Sequence, residues 1–579
     1  MTPVLRAIFV LTLTPVSAAL VGDGALLQAE AERVALIERT KPPVIAVFAV
    51  EGESGGSGVL ISPDGLALTN FHVARPCGEW LKCGLSDGRL YDAVIVGVDP
   101  VGDVALIKLF GRNDFPAAIL GDSDRVQVGD RAYVMGNPFL LAADFQPTVT
   151  CGIISGVHRY QFPSGTLLEY ADCLQTDASI NPGNSGGPLF DGGGLLIGIV
   201  GRASFEKRGR VNVGAGYAIS INQVRRFLGY LHSGRIVDHA TLGATVAFDD
   251  AQRVVVTEIL DSSDAYRRGL RYDDEIVSLA GRPVTTPNGF KNILGTIPKG
   301  WRVPLSFRRD GERLDVLVRL AGVHAEGELL EKLESSRADE LPIPQRNPGK
   351  DEKPGKTPAP IEPIETAGGN RPTGPDMPEV VKQHLEERAG YANYYFNRQH
   401  RTRVLDSWLA KLAPAQKEGQ WALSGKTSAE DTFQLKINDK GASIELAENR
   451  YDWAATDDLT ADLQPEGSGG MLPALYLWRY LATHPVEEFG EVSYLGTAPF
   501  PGREDLLDVI VAVRRGLEVW FYFDPNDARL VGLEMWSDPS RDPCEVRFSE
   551  YAESSGTPGR IEVIYGDAPF TILTMDARP

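Results

Sequence analysis

Along the first part of the chain, apolar residues fall in short runs broken by glycine and proline. Leu26 to Glu38 repeats its apolar positions at helical spacing, and Lys41-Pro42-Pro43 ends that pattern ahead of a strand-like run from Val44 to Val50. To about Arg235 the chain continues as short strands, among them Gly58 to Ile61, Ala93 to Val98, Val104 to Leu109, Arg131 to Met135 and Leu195 to Val200. Many short strands, tight turns and few helices predict a mainly β fold, a barrel or a sandwich.

From Thr241 to Leu320 the pattern changes to a small α+β module. Val254-Val255-Val256 and Trp301 to Phe307 read as strands, and Pro287 to Leu294 as a short helix. Between Pro342 and Pro378 the chain is rich in proline, glycine, lysine and glutamate and lacks the apolar residues a core needs, which predicts a flexible linker. The last part opens with helical spacing and then alternates: Leu517, Val519, Phe521 and Phe523 interleave with Glu518, Trp520 and Tyr522 ahead of the turn Asp524-Pro525-Asn526-Asp527. Strands at Leu530 to Trp536, Glu545 to Tyr551, Arg560 to Ile564 and Phe570 to Met575 complete an antiparallel sheet packed on helices. The expected division is an export signal at 1–19, a β domain at 24–235, the α+β module at 238–322, a linker at 323–377 and an α+β unit at 378–579.

Length agrees with that division, because 579 residues exceed one hydrophobic core. The formal charge of −20 is spread along the chain, which disfavours a phosphate-binding surface, so no nucleic-acid partner is expected. Arg6, the apolar stretch Ala7 to Val16 and the small residues Val16-Ser17-Ala18 form the pattern of a cleavable export signal. In an exported chain the five cysteines permit disulfides. The expected pairs are Cys77 with Cys83 and Cys151 with Cys173, with Cys544 a buried core residue. Metal-ligand spacing is absent, so neither metal nor cofactor is expected.

Nucleophilic hydrolysis by serine requires a base, a carboxylate that orients the base, and backbone donors for the oxyanion. Asn181-Pro182-Gly183-Asn184-Ser185-Gly186-Gly187-Pro188 sets one serine among glycines, where the chain turns tightly and can present amide hydrogens. Ser185 is the candidate nucleophile, with the Gly183 and Ser185 amides as candidate oxyanion donors. Upstream, His72 closes Leu68-Thr69-Asn70-Phe71 and Asp103 precedes the apolar Val104-Ala105-Leu106. These are the candidate base and orienting carboxylate, in the order His, Asp, Ser.

Those blocks, with Gly56-Ser57-Gly58 and Thr176-Asp177-Ala178, resemble the HtrA/Deg serine proteases over residues 40 to 235. The resemblance implies a chymotrypsin-like double β-barrel with the triad in the cleft between barrels, action on unfolded or damaged polypeptides, and a homo-oligomer, in this family a trimer. It also implies a specificity pocket from Ser179, Ile180, Ile199, Val200 and Gly201, apolar and shallow, with Arg202 turned to solvent. Asn184 stands where trypsin-like zymogens carry an aspartate, so activation by a new amino terminus is not expected. The second module resembles a PDZ domain, which implies capture of C-terminal peptides with Thr241, Leu242, Gly243 and Ala244 as the carboxylate-binding loop. The last unit resembles the half-barrel of LolA-like lipoprotein carriers, and a curved sheet with apolar inner residues could bind an acyl chain or a polypeptide; an ordinary packed core would give the same alternation. The competing reading is a non-proteolytic chaperone or binding protein on a pseudo-protease scaffold.

Overall fold

The structure, a computed structural model, describes residues 22–50, 55–137, 144–161, 168–205, 212–325, 327–335, 376–503, 505–551, 556–566 and 568–576. The export signal expected at 1–19 and most of the expected linker lie outside these residues. The stretch assigned to the linker opens with a helix, Glu328–Ser335.

Two closed six-stranded barrels stand side by side. In the first, β1 (Val44–Ala49), β2 (Gly55–Leu60), β3 (Leu66–Thr69), β4 (Trp80–Leu85), β5 (Leu90–Asp99) and β6 (Val104–Leu109) run in the order β1-β2-β3-β6-β5-β4. Closure comes from antiparallel pairing of β1 with β4, Val47 opposite Cys83. The inward positions of these strands, Ile45, Val47, Leu60, Ala67, Leu81, Ala105 and Ile107, fill the interior. The second barrel, β7 (Arg131–Gly136), β8 (Thr148–Gln161), β9 (Tyr170–Thr176), β10 (Pro188–Asp191), β11 (Leu196–Phe205) and β12 (Asn212–Ser220), is ordered β10-β11-β12-β9-β8-β7. Its interior holds Val134, Ile154, Leu174, Leu189, Ile197 and Val200.

The helix Ile221–His232 ties this pair to the rest of the chain. Its buried face, Ile221, Val224, Phe227, Tyr230 and Leu231, packs in a core that continues into both neighbouring units. Each such side chain contributes about 1.5–3 kcal/mol of burial. Gly229 lets the helix cross the strand Glu491–Ala498 closely: a Cβ there would lie 2.2 Å from Thr497 Oγ1. Gly234, at φ 72°, ends the helix in the left-handed conformation.

The α+β module is a sheet led by the edge strand Ala244–Phe248, which pairs with Val254–Ile259. Its helix Pro287–Leu294 is capped by the Thr286 side chain and seats on β8 and β9. There Asn292 Nδ2 donates to His158 O (2.8 Å) and its Oδ1 accepts from Asp172 N (2.8 Å). Arg282 grips the Asp172 carboxylate through two nitrogens at 3.0 Å.

The C-terminal unit is one eleven-stranded antiparallel sheet. Its strands run Asn449–Ala454, Gly441–Leu446, Thr432–Asn438, Trp421–Thr427, Ala568–Met575, Arg560–Tyr565, Cys544–Ser549, Leu530–Trp536, Leu517–Phe523, Leu507–Arg514 and Glu491–Ala498. The apolar face, read as able to bind an acyl chain or a polypeptide or else to form a packed core, is occupied by the chain's own helix Met471–Thr483, buried at every position from Met471 to Ala482. The alternation therefore reflects a packed core. A buried charge cluster joins this sheet to the α+β module: Arg302 lies 3.0 Å from Glu534 and 2.5 Å from Glu545, and Arg319 lies 2.5 Å from Glu534. Tyr522 O–H also donates to Glu534.

Candidate active site

The strand β3 ends at Thr69 and leads into a one-turn helix, Phe71–Ala74, which carries His72. Asp103 sits opposite, in the turn between β5 and β6, at φ 60°. That left-handed backbone is uncommon outside glycine and must be held by its surroundings. Asp99 Oδ1 builds the turn by accepting from Val101 N (3.2 Å) and Gly102 N (2.8 Å), and His239 Nε2 braces the same carboxylate at 2.8 Å. Asp103 O accepts from Asn70 Nδ2 at 2.9 Å.

The Asp103 side chain is fully buried. Its carboxylate accepts from His72 N (3.0 Å to Oδ1) and lies 2.8 Å from His72 Nδ1 through Oδ2. Tyr170 O–H donates to the same Oδ2. A proton on Nδ1 satisfies the carboxylate and leaves the Nε2 lone pair free to act as a base. Burial pushes the His72 pKa down, and the Asp103 charge and hydrogen bond more than reverse this, holding it above 6.5.

Ser185 lies on the loop between β9 and β10, and the loop docks on the first barrel. Ser57 N donates to Ser185 O (2.9 Å), and Gly56 separates Val73 from Ser185 O so closely that a Cβ there would meet both at 2.9 Å. Gly186, at φ 84°, is wedged against Ser57 O and Thr69 Oγ1 at 2.2 and 2.4 Å from where a Cβ would stand. The loop turns at Asn181 to Asn184, closed by Asn184 N to Asn181 O at 2.9 Å. Pro182 sits second in that turn and Gly183 third at φ 101°, the requirement of a type II turn. Ser57 Oγ fixes the turn by donating to Gly183 O (2.6 Å) while accepting from Asn137 N (2.9 Å). The sequence offered the glycines but gave no sign of this strut. Asn184, uncharged, is buried. Ser185 Oγ donates to Gly201 O at 3.3 Å, so attack requires a turn of its side chain toward His72.

The other expected site residues divide. Ile180 is buried, its Cδ1 2.3 Å from where a Cβ of Gly216 would stand, and Gly201 lies beside Ser185 Oγ. Ile199 and Val200 are buried, and alternate positions of β11 send their side chains to the cores on its two faces. Ser179 is exposed, and its backbone carbonyl accepts from Thr150 Oγ1 (2.9 Å). The Arg202 side chain lies outside the described residues. Asp177 is structural: its Oδ1 accepts from Ile153 N at 2.7 Å. In the loop Thr241 to Ala244, Leu242 is a core residue and Gly243 N already donates to Thr241 Oγ1 (3.1 Å), while Ala244 opens the edge strand.

The two expected disulfides are corrected: all five cysteines are free thiols. Cys77 Sγ instead donates to Val73 O (3.2 Å), and Cys83 faces the first barrel's interior. Cys151 is exposed opposite Tyr133, whereas Cys173 is buried opposite Arg159, so the extended β8 holds them apart. Burial pushes the Cys77 thiol up to about 12. Among the described residues no group of three or more His, Cys, Asp or Glu is placed to hold a metal ion, and no helix is long and apolar enough to cross a membrane.

Residues 56–199 match the family model of the trypsin-like peptidase domain. The chain is 37% identical over 278 residues to the periplasmic serine endoprotease DegP of Escherichia coli K12, covering 46% of this chain and 56% of the relative. It is 35% identical over 282 residues to a probable periplasmic serine endoprotease DegP-like of Chlamydia muridarum, covering 47% and 54%. The chain thus spans about half the length of the curated relatives it matches. A solved structure of the HtrA-type protease AlgW with tripeptide is 31% identical at a TM-score of 0.42, covering 50% of this chain and 97% of that one.

Proposed function

We propose that this chain, whose N-terminal part carries a trypsin-like domain of the HtrA-type serine proteases, is a serine endopeptidase that works by an acyl-enzyme. The observation that carries the reading is the buried Asp103 carboxylate gripping His72 Nδ1 beside the docked Ser185 loop. Ser185 Oγ–H passes its proton to His72 Nε2 as the oxygen bonds to the peptide carbonyl carbon. The Gly183 and Ser185 amides, neither spent on a bond within the described residues, receive the oxyanion. His72 then protonates the leaving amine, and water, activated by the same nitrogen, releases the acid and restores Ser185. No cofactor is required for these steps.

By family resemblance the substrates are unfolded or damaged polypeptides; the compartment is the periplasm or the exterior, and the relatives' printed names carry the word periplasmic. The PDZ-like module takes C-terminal peptides by strand addition at Ala244–Phe248, the edge strand of its sheet among the described residues. The working form is a homo-oligomer, a trimer by family resemblance. A non-proteolytic binding role draws on one observation, Ser185 Oγ bonded to Gly201 O instead of His72. A fluorophosphonate probe separates the two readings. Covalent labelling at Ser185, lost in His72→Ala, supports the hydrolase; a wild-type protein that is never labelled contradicts it.

A further inference from the structure

The Asp103 carboxylate has a third donor that the triad does not require. Tyr170 opens β9, is 2% exposed, and sends its O–H to Asp103 Oδ2. Oδ2 already receives His72 Nδ1 at 2.8 Å, and Oδ1 receives His72 N at 3.0 Å, so the phenol completes the solvation of a charge that water does not reach. The same ring abuts the strand that holds the nucleophile: a Cβ on Gly201 would come 2.5 Å from Tyr170 Cε1, and Gly201 O is the acceptor of Ser185 Oγ. The tyrosine is itself fixed from outside the barrel. Ala171 packs on Gly295, whose Cβ would stand 2.4 Å from it, and Asp172 N donates to Asn292 Oδ1 at 2.8 Å.

We infer that Tyr170 is a positioning residue of the hydrolase, a phenol that locks the Asp103 carboxylate in the orientation that holds His72 Nδ1 and shares its negative charge. This rests on the hydrolase reading above. Two consequences follow from the chemistry of a donor on a buried carboxylate. Without it the carboxylate can rotate away from His72, which lowers the fraction of correctly oriented imidazole and so lowers kcat with little effect on KM. The charge left on the carboxylate is also no longer shared, so it favours imidazolium more strongly and raises the pH below which His72 is protonated.

Tyr170→Phe tests this, since it keeps the ring against Gly201 and removes only the hydroxyl. The expected result is a 10- to 100-fold loss of kcat, about the size expected for one hydrogen bond to a charged group. KM should be close to wild type, and the acid limb of the kcat/KM profile should move to higher pH. A second variant guards against misfolding: site-specific 3-fluorotyrosine at 170, a stronger donor, should move that limb the other way. In Ser185→Ala, where the readout does not depend on turnover, the downfield His72 Nδ1 proton resonance should move when Tyr170→Phe is added. Wild-type kcat, an unmoved acid limb and an unmoved resonance would overturn the inference and leave Tyr170 a space-filling residue. An inactive wild type whose resonance still responds to Tyr170 would instead fault the hydrolase reading.

Discussion

Acidification should loosen the joint between the first barrel and the C-terminal unit, because two neutral histidines are stacked across it. His232, the last residue of its helix, lies on His400 with ring centroids 5.6 Å apart and 16° between planes, and His400 lies on Tyr494 at 5.3 Å and 18°. The pair borders a cavity of about 380 Å³ lined also by Asp64, Lys108, His384 and Arg403. His232 Nε2 and His400 Nδ1 are buried without a hydrogen-bond partner among the described residues. Burial pushes His232 down to about 4 against the opposing pull of the Asp64 and Asp508 charges, with Arg403 adding to the lowering; burial, His232 and Arg403 push His400 down to about 3. Both values lie below the ordinary 6.5, so the unfolded chain takes up protons first. The contribution to stability is complete above about pH 6.5 and shrinks as pH falls toward 4 and then 3. At pH 5 linkage gives about 2 kcal/mol for each imidazole, and partial access to water brings the pair to about 2–4 kcal/mol. The assay is urea unfolding at pH 7 and pH 5 for wild type and for His232→Gln combined with His400→Phe, which cannot titrate. Histidines elsewhere contribute equally to both proteins and cancel. Wild type should lose about 2–4 kcal/mol more than the variant between the two pH values; equal losses would refute the account of the stack.

Gly183→Ala should cut kcat about 10²- to 10³-fold in steady-state assays, because alanine at φ 101° is strained and relaxation of the turn rotates the oxyanion donor away. Glu534→Gln should destabilise the chain by about 3–5 kcal/mol in denaturant titration, since it leaves Arg302 and Arg319 underpaired in the joint between sheets. A thiol reagent should modify Cys151 quickly in the native protein and reach Cys77, Cys83, Cys173 and Cys544 only on unfolding; fewer than five reactive thiols in the denatured, unreduced protein would restore a bridge.

Much of the fold was legible because the strands repeat their apolar residues locally. Val104–Leu109, Pro287–Leu294 and Leu530–Trp536 have the bounds their patterns predict. The pairing of His72 with Asp103 followed from chemistry and order, since few residues can serve those roles. What escaped depends on contacts between distant segments. Tyr170 reads as an ordinary strand residue, and only barrel closure brings it to Asp103, 67 positions away. Ser57 stands in the sequence only as a member of the Gly56-Ser57-Gly58 block, and its role shows when the loop carrying Gly183, 126 positions on, folds against it. Ile199 and Val200, expected at the pocket, send their side chains to cores on the two faces of β11, and alternation alone cannot distinguish a core from a pocket. The expected Cys151–Cys173 bridge took proximity in sequence for proximity in space, since Cys151 lies opposite Tyr133 and Cys173 opposite Arg159.

The central claim is that Ser185, activated by His72, cuts peptide bonds, and digestion of unfolded casein by purified protein tests it most directly. Wild type should degrade casein, with Ser185→Ala and His72→Ala each slower by several orders of magnitude and both retaining the wild-type circular dichroism spectrum. Casein digestion by Ser185→Ala at the wild-type rate would contradict the account.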